Sequence, residues 1–196
     1  MKLRNAVFGA LLLGSSLFAG EIKYASEVKS LFASEDGSKT IGRLLPTTEV
    51  EVLKESKGKV LLKIKGWSDT GSASVLYAVP GHRILNAAFT RGVEVPSKVL
   101  DSKKVGDKEY KYYEVEVYAE NKALVKDVKP LYEEAKALYT ENCSMCHSLH
   151  KTTEFKANQW PSVIKSMLSR TAIPKDKSFL VIQYVQKNAG DVKDVK

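Results

Sequence analysis

The sequence predicts an α+β chain: a small all-β domain, barrel-like or sandwich-like, followed by three helices. Three observations carry that expectation. Apolar residues recur with a period of two between Thr40 and Val95, with further strand candidates up to Glu120, the period lengthens to that of a helix beyond Asn121, and turn residues (Pro80-Gly81, Gly92, Gly106-Asp107) punctuate the first region at short intervals. The 196 residues, 43% hydrophobic and 28% charged, suffice for one medium domain or two small ones and exclude wholesale disorder, collagen and a multi-span membrane protein. The formal charge of +8 is too modest to argue for nucleic-acid binding.

Residues 1–20 read as a secretory signal. Lys2 and Arg4 form the positive start, Ala6 to Leu13 the apolar stretch, and Ser15 to Gly20 the small-residue exit, with cleavage expected after Ala19 or Gly20. The competing reading, an uncleaved anchor, has against it the short apolar run and its interruption by Gly9 and Gly14. No later segment has the length and apolarity of a membrane span. Residues 21–39 are a polar lead-in in which Tyr24, Val28, Leu31 and Phe32 offer a weak apolar face, and their structure is left open.

The β-domain is expected over 40–121. Val50 and Val52 alternate with Glu49 and Glu51, and Val60, Leu62 and Ile64 alternate with Lys59, Lys63 and Lys65, the two runs joined by a hairpin connection ending at Gly58. Ser74 to Val79, Ile84 to Phe89, Val93 to Leu100 and Tyr110 to Glu120 are further strands, and Trp67 is expected in the core. Over 122–190 three helices follow: one entered at Pro130 and ending at Asn142, one over about 158–169 with Pro161 near its start, and one over about 175–188. The tail, 191–196, is expected to fray.

The chain has two cysteines, both within Cys143-Ser144-Met145-Cys146-His147. In this C-x-x-C-H pattern two thiols reach the two vinyl groups of one porphyrin, and the next imidazole falls over the iron. The spacing therefore predicts one covalently attached haem c held by Cys143 and Cys146, with His147 as proximal ligand. A redox-active dithiol expects a βαβ setting, whereas these cysteines follow one helix and precede two more. A zinc site would need further ligands, and only His82 and His150 remain. Roughly seventy residues are short for a self-sufficient core, so the haem would supply the apolar centre, lined by Trp160, Ile164, Phe179 and Val185. Met167 is the candidate distal ligand, its competing role being core filler; His150 is too close in sequence to His147 to reach the opposite porphyrin face, and His82 would have to come from the β-domain.

Cys143-Ser-Met-Cys-His147, then Ala157-Asn158-Gln159-Trp160-Pro161, then Lys165-Ser166-Met167 resemble the carboxy-terminal haem domain of the Tor-type pentahaem cytochromes c. Upstream, Gly42 to Trp67 and Tyr77-Ala78 through Gly81, Arg83, Ile84 and Leu85 resemble the β region preceding that domain, so the likeness covers about three quarters of the chain. The resemblance implies a cytochrome c-like haem domain that donates electrons to trimethylamine-N-oxide reductase. It departs in one respect. The family's amino-terminal module carries four more haems and draws electrons from membrane quinol, and this sequence has no cysteines for them.

The expected function is that of a periplasmic monohaem electron carrier, not an enzyme. Its expected partners are a terminal N-oxide or S-oxide reductase and an upstream quinol-linked donor, with no nucleic acid and no stable membrane span after cleavage. Lys151, Lys156, Lys165, Arg170, Lys175 and Lys177 surround the haem segment and would steer docking to an acidic partner. The alternative is a haem-containing sensory module that binds a membrane partner through its β-domain.

Overall fold

The computed structural model describes residues 20–56 and 58–192; the expected signal sequence, apart from Gly20, and the end of the tail expected to fray lie outside them. Ten strands come first: β1 (Glu21–Ala25), β2 (Lys29–Phe32), β3 (Thr40–Leu44), β4 (Glu49–Glu55), β5 (Lys59–Ser68), β6 (Val75–Tyr77), β7 (Leu85–Phe89), β8 (Ser97–Val105), β9 (Lys108–Glu120) and β10 (Leu124–Val125). Three helices follow, α1 (Lys129–Cys143), α2 (Trp160–Met167) and α3 (Ser178–Lys187).

A closed ring runs β5-β6-β7-β3-β2-β9 and returns to β5. The closing pair is the longest, antiparallel from Lys59 opposite Glu120 to Ser68 opposite Lys111. The alternation in sequence is what closes it: Val60, Leu62 and Ile64 of β5 and Val115, Val117 and Ala119 of β9 are all at most 1% exposed, while Lys59, Lys63 and Lys65 point outward. Two glycines allow close approach across the ring. A Cβ at Gly42 would lie 2.6 Å from the Ala88 carbonyl oxygen, and one at Gly66 would lie 2.8 Å from Leu76 Cβ. Outside the ring, β4 lies on β5, β1 on β4 and β10 on β1, so the lead-in whose structure the sequence left open contributes β1 and β2. The expected strand over 93–100 forms later, as β8, because Pro96 lacks the N–H that an earlier start would use. Trp67 is only half-buried and rests on Tyr112, ring centroids 4.9 Å apart, rather than in the core.

The expected α+β arrangement, a small β-domain followed by a three-helix cytochrome c-like domain, is not what forms. Among the described residues the protein is predominantly β, a six-stranded barrel with flanking strands, and its three α-helices are short, of 15, 8 and 10 residues. The physical reason is that those helices bury too little surface among themselves. Their core is completed by Ile84, fully buried among Tyr139, Trp160, Ile164 and Val185, and by Ala78 and Val79, all from the connection around β6 and β7. Polar side chains seal the joint: Gln183 Nε2 donates to the Leu85 carbonyl at 2.7 Å, and Gln186 Nε2 to those of Arg83 (3.3 Å) and Ala157 (2.9 Å). Among the described residues no helix is long and apolar enough to cross a membrane.

Candidate haem site

α1 delivers the first thiol. Pro130 sits in its first turn, Leu131, Ala135 and Tyr139 form its buried face, and Cys143 is its last residue rather than the first beyond it. The chain then turns sharply enough that Cys146 and His147 face back toward Tyr139 and α2, around an open cleft of about 230 Å³. The apolar wall is Trp160, Val163, Ile164 and Met167, which fall on one face of α2. Both cysteines are free thiols, Cys143 partly buried and Cys146 exposed.

Two hydrogen bonds to loop carbonyls hold the cleft open. Tyr139 Oη donates to the His150 carbonyl at 2.7 Å, and Trp160 Nε1 to that of Thr152 at 3.0 Å. Trp160 is fully buried, its ring edge-on to Tyr139 (centroids 5.9 Å apart) and to Phe155 (5.0 Å). From the other side Asn142 Oδ1 accepts the Ala172 N–H at 2.9 Å, drawing Arg170 and Thr171 over the rim. His147 Nδ1 lies 2.8 Å from the Ser148 carbonyl oxygen, which requires the proton on Nδ1 and leaves the Nε2 lone pair available to a metal. His150 lies on the same side as His147, ring centroids 5.1 Å apart, with its Nδ1 held by Glu154 Oε1 at 2.8 Å.

These residues fit a covalently bound porphyrin. Cys143 and Cys146 stand at the mouth of an apolar cleft with an imidazole beside them and the Met167 thioether on the facing helix. Burial pushes the Cys143 thiol up, opposite to the depressed thiol that a redox-active dithiol needs. Among the described residues no three His, Cys, Asp or Glu side chains converge as a closed cation site would require.

Of the expected lining, Trp160 and Ile164 reach the cleft; Phe179 instead lies under the Arg43 guanidinium, 5.3 Å from ring centroid to Cζ, and Val185 is buried in the helical core without reaching the lining. His82 is away from the cleft, its Nδ1 3.7 Å from Asp191 Oδ2. Sequence reasoning missed Tyr139, Asn142 and Thr171 as lining; the signal was Tyr139 and Asn142 lying on the last turn before Cys143. The Asn158-Gln159-Trp160-Pro161 stretch has a structural explanation. Asn158 Oδ1 accepts the Arg83 N–H at 2.6 Å, Gln159 Oε1 accepts that of Lys156 at 2.9 Å, Trp160 fills the core and Pro161 sits in the first turn of α2.

Residues 18–124 match the family model described as the TorC third cytochrome c domain. The chain belongs to the TorC cytochrome c family. The matched stretch covers the barrel and ends before α1 and the thiols. Likeness to individual TorC-family members runs further. The chain is 30% identical over 183 residues to the cytochrome c-type protein TorC of Escherichia coli (strain K12), covering 92% of this chain and 47% of that protein. It is also 30% identical over 188 residues to the cytochrome c-type protein TorY of Haemophilus influenzae, covering 94% and 48%. The chain thus spans about half the length of the curated relatives it matches. No solved structure matches significantly. Membership in a cytochrome c family carries with it a covalently attached haem c.

Proposed function

We propose that the chain is a periplasmic, single-haem electron carrier that delivers electrons to a terminal reductase for trimethylamine N-oxide or a related N- or S-oxide. The observation that carries this reading is the apolar cleft that brings Cys143, Cys146, His147 and Met167 together in a TorC-family chain. Cys143 and Cys146 would hold the porphyrin through thioethers, His147 Nε2 and Met167 Sδ would bind its iron, and Trp160 and Ile164 would line it. Bound haem supplies a one-electron ferric/ferrous couple. The protein's part would be to keep that couple in an apolar setting with His147 and Met167 on the iron, which would favour transfer over substrate chemistry.

The geometry supports Met167 over the two histidines. His150 is on the His147 side and already bonded to Glu154, and His82 does not line the cleft. Met167 is 39% exposed, so its thioether is not sequestered as core filler. The segment over 1–20 acts as a cleaved export signal, a quinol-linked donor supplies the electrons, and the barrel is the docking and orienting module for the haem segment over 122–190.

The test is stopped-flow reoxidation of the reduced protein by purified trimethylamine-N-oxide reductase in the presence of substrate. The expected result is a rate that saturates with reductase concentration and falls with added salt, since Lys151, Lys156 and Lys165 are exposed within the haem segment. Reoxidation no faster than in the absence of reductase would overturn the assignment.

A further inference from the structure

A second cleft, apart from the one at the cysteines, contains none of the thiols or histidines. It lies between the outer side of β1, β4, β5 and β9 and the helices α1 and α3, and encloses about 340 Å³. Tyr24, Tyr112 and Tyr132 line it together with Glu49 and Lys187.

Lys187, in the last turn of α3, turns its ammonium inward and donates to the carbonyl oxygen (3.1 Å) and Oγ1 (2.9 Å) of Thr47. Thr47 is held in the left-handed region, φ +62°. An ammonium carries three protons, and Thr47 accepts two. Among the described residues no carboxylate lies within 4.0 Å of Lys187 Nζ, and Glu49 likewise has no cationic partner within that distance, accepting only the Tyr24 hydroxyl at 3.2 Å. The other lysines of the cleft are matched: Lys63 pairs with Glu51 at 3.3 Å and Lys65 with Glu114 at 3.7 Å. A strut tying α3 to the turn before β4 explains the two bonds to Thr47. It does not explain the remaining proton, the unmatched carboxylate facing the same opening, or three tyrosines around it.

A free anion entering here meets Glu49, and a free cation meets Lys187; a solute carrying both charges satisfies both. Tyrosine faces attract a methylated ammonium, which has no N–H to lose on leaving water. We propose that this cleft binds a small zwitterion with a methylated ammonium end, its oxyanion on Lys187 Nζ and its cationic end beside Glu49 and the rings of Tyr24, Tyr112 and Tyr132. Betaines and amine oxides share this chemistry and differ in the separation of their charges. The site shares no lining residue with the haem cleft.

Isothermal titration of the haem-loaded protein with glycine betaine and with trimethylamine N-oxide tests the proposal, and tetramethylammonium and acetate serve as the half-ligands. Saturable binding of at least one zwitterion is expected, with each half-ligand and the Glu49→Gln and Lys187→Met variants weaker by about tenfold or more. The haem spectrum of each variant reports folding, and if Lys187→Met does not fold, Glu49→Gln and Tyr112→Leu carry the comparison. Which zwitterion binds separates the two sources. No saturable heat with either zwitterion, half-ligands that bind as well as the whole, or undiminished binding by Glu49→Gln would overturn it.

Discussion

Met167 ends α2 on the same face as Trp160 and Ile164, so its thioether opens into the cleft that also holds His147. In the proposed role of distal ligand it would raise the reduction potential above that of a bis-histidine haem. Met167→Ala is therefore expected to convert a six-coordinate low-spin spectrum into a five-coordinate ferrous form that binds carbon monoxide; an unchanged spectrum would remove Met167 from the iron. Lys187 governs a different property. Burial lowers its pKa from 10.5 to about 8, with Glu49 acting weakly in the opposite direction. The unfolded chain then binds the extra proton between those two values, so stability rises with pH across that window, and below about pH 8 the cost of burying the charge is fully felt. The full rise is on the order of 3 kcal/mol at most. Urea unfolding at a series of pH values should show this rise in the parent protein and a flatter profile in Lys187→Met.

At the scale of single elements, α2 is a helix of eight residues, too short to be stable alone. Trp160 anchors it, with no exposed surface and its indole N–H bonded to Thr152. Trp160→Ala should cost about 3–5 kcal/mol, read by denaturant unfolding, and disturb the haem spectrum with it. In the barrel, Gly66→Val places methyl groups where a Cβ alone would already be 2.8 Å from Leu76, and should lower the thermal midpoint sharply, whereas a substitution at Gly71, with nothing within 4 Å, meets only backbone strain. The strands and helices themselves were largely legible, because Val60, Leu62 and Ile64 alternate strictly and Pro130 and Pro161 mark helix starts. The Cys143-to-His147 motif and the α2 face were legible for the same reason, that chemistry and periodicity are local. What could not be read was the closure of β5 on β9 and the use of Ile84, Gln183 and Gln186 at the joint, since these pair residues far apart in the chain. Phe179 was misassigned because an apolar residue on a helix signals burial without naming what covers it.

Over the whole molecule, barrel and helices form one structure. Asn158 bonds to Arg83, Gln183 to Leu85 and Lys187 to Thr47, and Ile84 of the barrel side completes the helical core. Far-UV circular dichroism, which follows the strands, and haem absorbance, which follows the cleft, should therefore report the same unfolding midpoint; two separated transitions would show that the joint is not cooperative. The arrangement packs the helices that carry Cys143 and Met167 against a β surface, in keeping with the proposed carrier. That account rests on covalent attachment within Cys143–His147. Intact-mass measurement of protein matured in cells that attach haem c, followed by peptide mapping, tests it most directly. The account predicts a mass above the bare mature polypeptide by one haem, carried on the peptide containing Cys143 and Cys146 and abolished in the Cys143→Ala, Cys146→Ala double variant. A colourless protein of polypeptide mass with both thiols open to alkylation would contradict it.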